Sequence, residues 1–197
     1  MNTTIIAIGI VAYILGMFPT ALLVGRCIDR NPLSEGSGNP GASNIYRIGG
    51  RAAGITVGLI DMAKGAIPTL MASLLWDRRA MLAAWVGAIL GHIWPILKLL
   101  PRSKLRGGKG VATSAGGVLV LDPLLFAICI TTFVVVCRLT RIAALASFSV
   151  TAIYFASVII GGRSSEEILT VAVVVLIILW CHRSNLQHLW RGKELKV

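Results

Sequence analysis

Acidic residues are scarce in this chain: eight Asp and Glu stand against 19 Lys and Arg, and charged residues of both signs make up only 14% of its 197 residues. A soluble domain has roughly 25% charged residues, so this figure, with 56% hydrophobic residues, excludes an ordinary water-soluble fold. The four cysteines, Cys27, Cys129, Cys137 and Cys181, contain no Cys-x-x-Cys pair and lie in or beside apolar runs. They read as buried thiols acting as small hydrophobes. His92, His182 and His188 are too scattered to make a zinc site, and the sequence calls for no metal and no cofactor. No internal repeat is visible, which weakens an inverted-repeat transporter.

What is present is a series of apolar runs of roughly 18 residues or more, the length that crosses a bilayer core. The class is an all-α, polytopic membrane bundle with no soluble domain, and residues 1–197 read as one integral-membrane domain. The spans expected are Thr4 to Val24, Ala52 to Trp76, Ala80 to Leu97, Val111 to Leu121, Pro123 to Cys137, Ile142 to Ile160 and Ile168 to Cys181. The first runs unbroken toward further spans and so reads as a retained helix, not a cleaved signal.

The net charge of +11 would suggest nucleic acid in a soluble protein, but its distribution gives it another meaning. If Asp122-Pro123 is a reversal, seven spans put 15 of the 19 cations on one side, with Arg78, Arg79 and Arg163 on the other and Lys64 inside the second span. The positive-inside rule then sets the large loops and the C-terminus in the cytoplasm and the N-terminus outside. A single helix over Val111 to Cys137 would move every later loop across and nearly erase the bias. Two of the seven spans are short enough to need thinning or burial against neighbours.

Chemistry gathers in the loops on the basic side. The first reads Gly36-Ser37-Gly38-Asn39-Pro40-Gly41-Ala42-Ser43-Asn44. It contains Gly-x-Gly-x-x-Gly, but a dinucleotide site needs a preceding strand, and a membrane helix precedes it here. What remains is a glycine-rich backbone able to converge N–H groups on an anion, with Ser37 and Asn39 as added donors; the alternative is a flexible polar linker. The second cluster, Arg106-Gly107-Gly108-Lys109-Gly110, opens a helix at Val111-Ala112-Thr113. It is not a Walker A loop, since Ser103 and Gly110 stand where glycine and Ser or Thr belong. Glycine-rich backbone, a lysine and a helix N-terminus nevertheless favour a phosphate together, with Thr113 in the first turn; the alternative is a basic loop drawn to anionic lipid.

Inside the spans, Asp61 and Lys64 are three apart, on one helix face, and are expected to pair and brace the site. His92, beside Trp94-Pro95, reads equally as an interfacial packing residue or a member of the site. His182 and Asn185 are also three apart and should project from one side of the last helix end. Ser147 taken alone is a helix-packing hydroxyl.

Together, Gly36-Ser37-Gly38-Asn39 with Gly41-Ala42-Ser43-Asn44, Gly91-His92 with Trp94-Pro95, Gly107-Gly108-Lys109-Gly110-Val111-Ala112-Thr113, and His182-Arg183 with Asn185 resemble, in order and spacing, the integral-membrane, acyl-phosphate-dependent glycerol-3-phosphate acyltransferases of bacteria. Asp61 with Lys64-Gly65, and Leu145-Ala146-Ser147, also look like that family. Ser43 stands where threonine is expected, Ile60 where leucine is common, Arg106 where lysine is usual, and Ile142-Ala143-Ala144 where an aromatic and a serine often sit.

The resemblance implies acyl transfer from acyl phosphate to the 1-hydroxyl of glycerol 3-phosphate, giving lysophosphatidate and phosphate, the first acylation of phospholipid synthesis. It places the protein in the bacterial cytoplasmic (inner) membrane with its active site facing the cytoplasm. Lys109, the Gly107 to Gly110 backbone and Ser37 are expected to hold the acyl phosphate, with Asn39, Gly41, Asn44 and Thr113 also binding phosphate, and Arg47 to take the glycerol phosphate. Ser147, His182 and Asn185 orient the reacting hydroxyl; either His182 or a substrate phosphate oxygen takes its proton. Asp61, Lys64 and His92 support the site. No histidine has the aspartate five residues on that acyl-CoA acyltransferases commonly use. The partners expected are acyl phosphate, glycerol 3-phosphate and membrane lipid, not nucleic acid. The rival reading, a transporter for a phosphorylated anion, predicts polar residues running through to the outer side.

Overall fold

A computed structural model describes residues 3–99 and 106–197; Arg102, Ser103 and Lys104, used in the charge and motif readings, lie outside the described residues. Every regular element among the described residues is helical: α1 (Thr3–Gly16), α2 (Thr20–Cys27), α3 (Ala42–Leu75), α4 (Arg78–Ile93), a 3-10 turn (Ile96–Leu99), α5 (Val111–Leu121), α6 (Pro123–Thr140), α7 (Ala143–Ile160), α8 (Ser165–Cys181) and α9 (Arg183–Trp190). Each of the seven expected spans has a helix in its place. Four stretches, α1 with α2, α3, α6 and α7, are long and apolar enough to cross a membrane, and the α8–α9 pair, bent by 56°, would make a fifth. At 16 and 11 residues, α4 and α5 fall short of that length.

Several boundaries depart from expectation. Thr4 to Val24 is not continuous: α1 ends at Gly16 and α2 begins at Thr20, because Pro19 has no N–H to extend the helix and restricts Phe18 before it. The third span stops at Ile93, not Leu97, where Pro95 breaks the ladder. In α3 the helix already starts at Ala42, so Ser43, Asn44 and Arg47 are helical and not loop residues. Gly50, at φ 85° and ψ 177°, interrupts it, and the short leading segment lies back against the long one, so that a Cβ at Gly54 would strike Tyr46.

The chain divides into two compact units, Met1–Leu121 and Asp122–Val197. In the first, α1 packs on α4 and α3 on α5 through glycines that admit backbone contact. A Cβ at Gly87 would fall on the Gly9 carbonyl, one at Gly91 on that of Tyr13, one at Gly65 on that of Thr113 and one at Gly116 on that of Met62. Helices in lipid associate by this close fit, since burial from water does not drive them together. Ala12, Ala72, Ala80, Ala84 and Ala88 fill one cluster, and Ala21, Ile45 and Val57 another. Trp85 is fully buried and donates Nε1–H to the Ser114 carbonyl at 3.0 Å, joining α4 to α5. Asp77 caps α4 by accepting from the Ala80 N–H at 3.0 Å.

In the second unit α6 packs on α7, and α7 on α8. Asp122 breaks the chain before Pro123, as the Asp-Pro pair predicts, and is more than a turn residue: buried, it accepts from Arg163 and from the Tyr154 hydroxyl at 3.4 Å. Ser164 caps α8, whose first turn carries Glu166 and Glu167, favourable to the helix dipole.

Candidate active site

The first loop is organised by Asn44. Its Oδ1 accepts from the Ser37 N–H at 2.8 Å, and its Nδ2 donates to the carbonyls of Pro32 and Glu35, each at 3.0 Å. This buried amide has three bonds within the loop, so it shapes the phosphate candidate from inside. Gly36 turns through φ 61°, and a side chain there would collide with the Asn44 oxygen. Ser37 is exposed at the tip, and its Oγ accepts from the Asn39 N–H at 3.4 Å. Asn39, Gly41 and Arg47 are half-buried, with Arg47 one turn past Asn44 on α3.

Behind this loop the expected Asp61–Lys64 pair is present and buried, with Nζ 2.7 Å from Asp61 Oδ1. The same ammonium donates to the Phe18 carbonyl at 2.8 Å and lies 3.3 Å from His92 Nδ1. Phe18 has this carbonyl to offer because the helix breaks at Pro19. An ammonium has three donors and no acceptor; its third N–H therefore meets Nδ1 as an acceptor, which leaves the proton of the neutral ring on Nε2. His92 is thus a member of the network and not an interfacial packing residue. A Cβ at Gly108 would land on His92 Nε2, and one at Gly107 on the carbonyls of His92 and Ile93. The second loop can lie against α4 only because it is glycine there.

Gly110 then turns at φ 83° into α5. Lys109 is half-buried in this turn. Thr113 is fully buried against α3, where its carbonyl abuts Gly65; its place is inside the α3–α5 contact, a position its first-turn register did not reveal.

The remaining expected residues belong to the second unit. His182 ends α8 and precedes α9, at the 56° bend, so His182 and Asn185 do not share one continuous helix face. The buried imidazole donates Nδ1–H to the Ile178 carbonyl at 2.8 Å, an assignment that follows because a carbonyl can only accept. The lone pair is then on Nε2, the state suited to a general base. Phe148, next to Ser147 on α7, meets the His182 ring edge-on at 5.4 Å. Ser147 is buried and donates to the Ala143 carbonyl at 2.9 Å, keeping acceptor capacity on Oγ. Asn185 donates to Glu194 Oε1 at 2.6 Å, and Glu194 also lies 3.7 Å from His188.

Sequence reasoning passed over Glu194 and Thr20. Glu194 is the lone acidic residue after Glu167, a carboxylate in an otherwise basic tail, and that isolation was its signal. Thr20 is a hydroxyl behind a proline in an apolar run; it is buried and lines a small cavity with Lys64, His92, Gly107 and Gly108.

A family model described as glycerol-3-phosphate acyltransferase matches residues 6–192. Among similar proteins, a glycerol-3-phosphate acyltransferase of Pseudomonas savastanoi pv. phaseolicola is 37% identical over 186 residues, covering 93% of each chain. One from Listeria monocytogenes is 34% identical over 203 residues, covering 100% of this chain and 98% of its own. Of solved structures, the glycerol 3-phosphate form of PlsY (YgiH), an integral membrane glycerol 3-phosphate acyltransferase, superposes with a TM-score of 0.90 at 27% identity, covering 100% of this chain and 96% of that one. Its lysophosphatidic acid form gives a TM-score of 0.86 at 27% identity, covering 99% and 95%.

Proposed function

The chain belongs to the glycerol-3-phosphate acyltransferase family of multi-pass integral membrane enzymes and forms lysophosphatidate, and from that premise we propose that its acyl donor is acyl phosphate. The glycerol 1-hydroxyl oxygen bonds to the acyl carbonyl carbon, the carbon–oxygen bond to phosphate breaks, and inorganic phosphate leaves with the electron pair. Phosphate is a good leaving group from a mixed anhydride, so positioning and charge stabilisation carry the reaction and no acyl-enzyme is needed.

The roles divide along the chain. Lys109, the Gly107 to Gly110 backbone and Ser37 hold the acyl phosphate, with Asn39 and Gly41 beside Ser37. Arg47 takes glycerol 3-phosphate. Ser147, His182 and Asn185 orient the hydroxyl, and His182 Nε2, carrying its lone pair, accepts the proton; a phosphate oxygen of the substrate is the other acceptor. Asp61, Lys64 and His92 brace the second loop. Asn44 and Thr113 act from within, one tying the first loop together and one seating α5. The observation that carries this reading is the turn pressed on His92 where only glycine fits at 107 and 108, with Lys109 beside them, a backbone shape suited to an anion.

The 197 residues act as one domain, and the family match over 6–192 supports this. The layout is seven spans with the N-terminus outside and the C-terminus and active site cytoplasmic, supported by 15 of 19 cations falling on one side. Purified protein given acyl phosphate and glycerol 3-phosphate should form lysophosphatidate, and acyl-CoA should not replace the donor; equal use of acyl-CoA overturns the donor assignment. A reporter after Val197 should be cytoplasmic and one after Asp122 external, and a cytoplasmic reporter at Asp122 removes the seven-span layout.

A further inference from the structure

Beside the Gly107–Gly108 turn lies a polar cavity of about 20 Å³, lined among others by Phe18, Thr20, Asp61, Lys64, His92 and Gly108. That is room for one oxygen-sized occupant. Thr20 is 2% exposed, yet its Oγ1 has no hydrogen-bond partner among the described residues. A buried hydroxyl is normally paired, because leaving it unpaired carries its full desolvation cost. Its helix does not explain it, since the Thr20 N–H is already used on the Phe18 carbonyl at 2.9 Å and the side chain caps nothing. On the same cavity, His92 carries its proton on Nε2, the nitrogen at Gly108. Asp61 is also in the wall, but its carboxylate is engaged by Lys64 at 2.7 Å, and Arg106 adds a second positive charge to the lining. Two neutral donors under a net positive field fit one oxygen of an anion.

We infer that Thr20 Oγ1–H and His92 Nε2–H form a subsite for a single phosphate oxygen, making Thr20 a substrate-binding residue. The inference rests on the reading of the glycine-rich turn as a phosphate site and extends it to residues outside the turn. The oxygen belongs to the acyl phosphate or to glycerol 3-phosphate, and the two are told apart by which KM moves.

The test is Thr20→Val, which keeps shape and volume and removes only the hydroxyl, with Thr20→Ser as the variant that restores it. A hydroxyl idle in the fold predicts a Thr20→Val Tm equal to or above that of the unaltered protein without ligand. A hydroxyl bound to a charged oxygen predicts a KM rise of roughly ten- to hundredfold for one phosphate substrate, little change in kcat, and recovery in Thr20→Ser. Inorganic phosphate should raise the Tm of the unaltered protein and of Thr20→Ser and raise that of Thr20→Val less. This last measurement does not depend on the acyl donor, so a failed donor assignment and a failed subsite are separable. Unchanged KM for both substrates, an equal or absent phosphate shift, or a Tm loss in ligand-free Thr20→Val each overturns the inference.

Discussion

The unit ending at Leu121 and the one beginning at Asp122 are both helical and both apolar, yet different residues hold them together. Gly161, Gly162 and Gly192 are the only glycines after Leu121, so 18 of the 21 precede it, several where a helix backbone touches its neighbour. In the second unit α6 buries no residue at all, and Leu124 and Leu139 are 75% and 80% exposed. A lipid tail is as apolar as leucine, so hydrophobic side chains can face it at no cost, and close packing must come from small residues and polar contacts. In this chain glycine marks the closest helix contacts, and many leucines, Leu74, Leu124 and Leu139 among them, lie on the outside.

The strongest attack on that contrast is Gly65→Leu. Overpacking costs about 1 to 3 kcal/mol where side chains can yield, and here the new side chain meets the Thr113 backbone, so no folded protein should be recovered by size-exclusion chromatography. Leu139→Ala, its counterpart in the second unit, should shift unfolding stability by less than about 0.5 kcal/mol; similar losses would erase the distinction. Next comes Asp61→Ala, which strands a buried ammonium and should lower stability by about 3 to 5 kcal/mol in denaturant unfolding, whereas Asp61→Leu with Lys64→Met should recover much of that.

Lys109→Ala should reduce kcat/KM by roughly 30-fold to several-thousand-fold, on the order of 2 to 5 kcal/mol, with the exposed Lys98→Ala as control at equal folded amounts. Equal small losses in both would make the turn a lipid anchor. The smallest effect on activity is expected in the second unit: Glu194→Gln keeps an acceptor for Asn185 but loses the charge, and should lower kcat/KM by roughly three- to tenfold, about 1 kcal/mol, with unfolding stability nearly unchanged. A loss as large as that of Lys109→Ala would show that the tail carries as much of the site as the loops do.

Hydropathy found a helix for each of the seven apolar runs, because such a run must be helical to satisfy its backbone in lipid. The i, i+3 spacing found the Asp61–Lys64 pair, and the glycine clusters found both loops, since left-handed turns at Gly36 and Gly110 need that residue. Spacing along one helix could not reveal that His92, 28 residues from Lys64 in sequence, completes the network, nor that Glu194 folds back to Asn185. The break at Pro19 was legible in principle, but the unbroken hydropathy around it outweighed the proline. Thr113 had the right register for a phosphate contact, yet the approach of Gly65 to its carbonyl encloses it, and that approach is a property of two helices.

The shortness of α5 sets how far apart its two ends lie. Eleven residues rise about 16 Å at 1.5 Å each, roughly half of a ~30 Å hydrocarbon layer. The far end of α5 is tied to the start of α4, where Arg78 donates to the Leu121 carbonyl at 2.7 Å. The glycine turn at the other end of α5 therefore stands about 16 Å from that tie, roughly half of what a full membrane span would set between them.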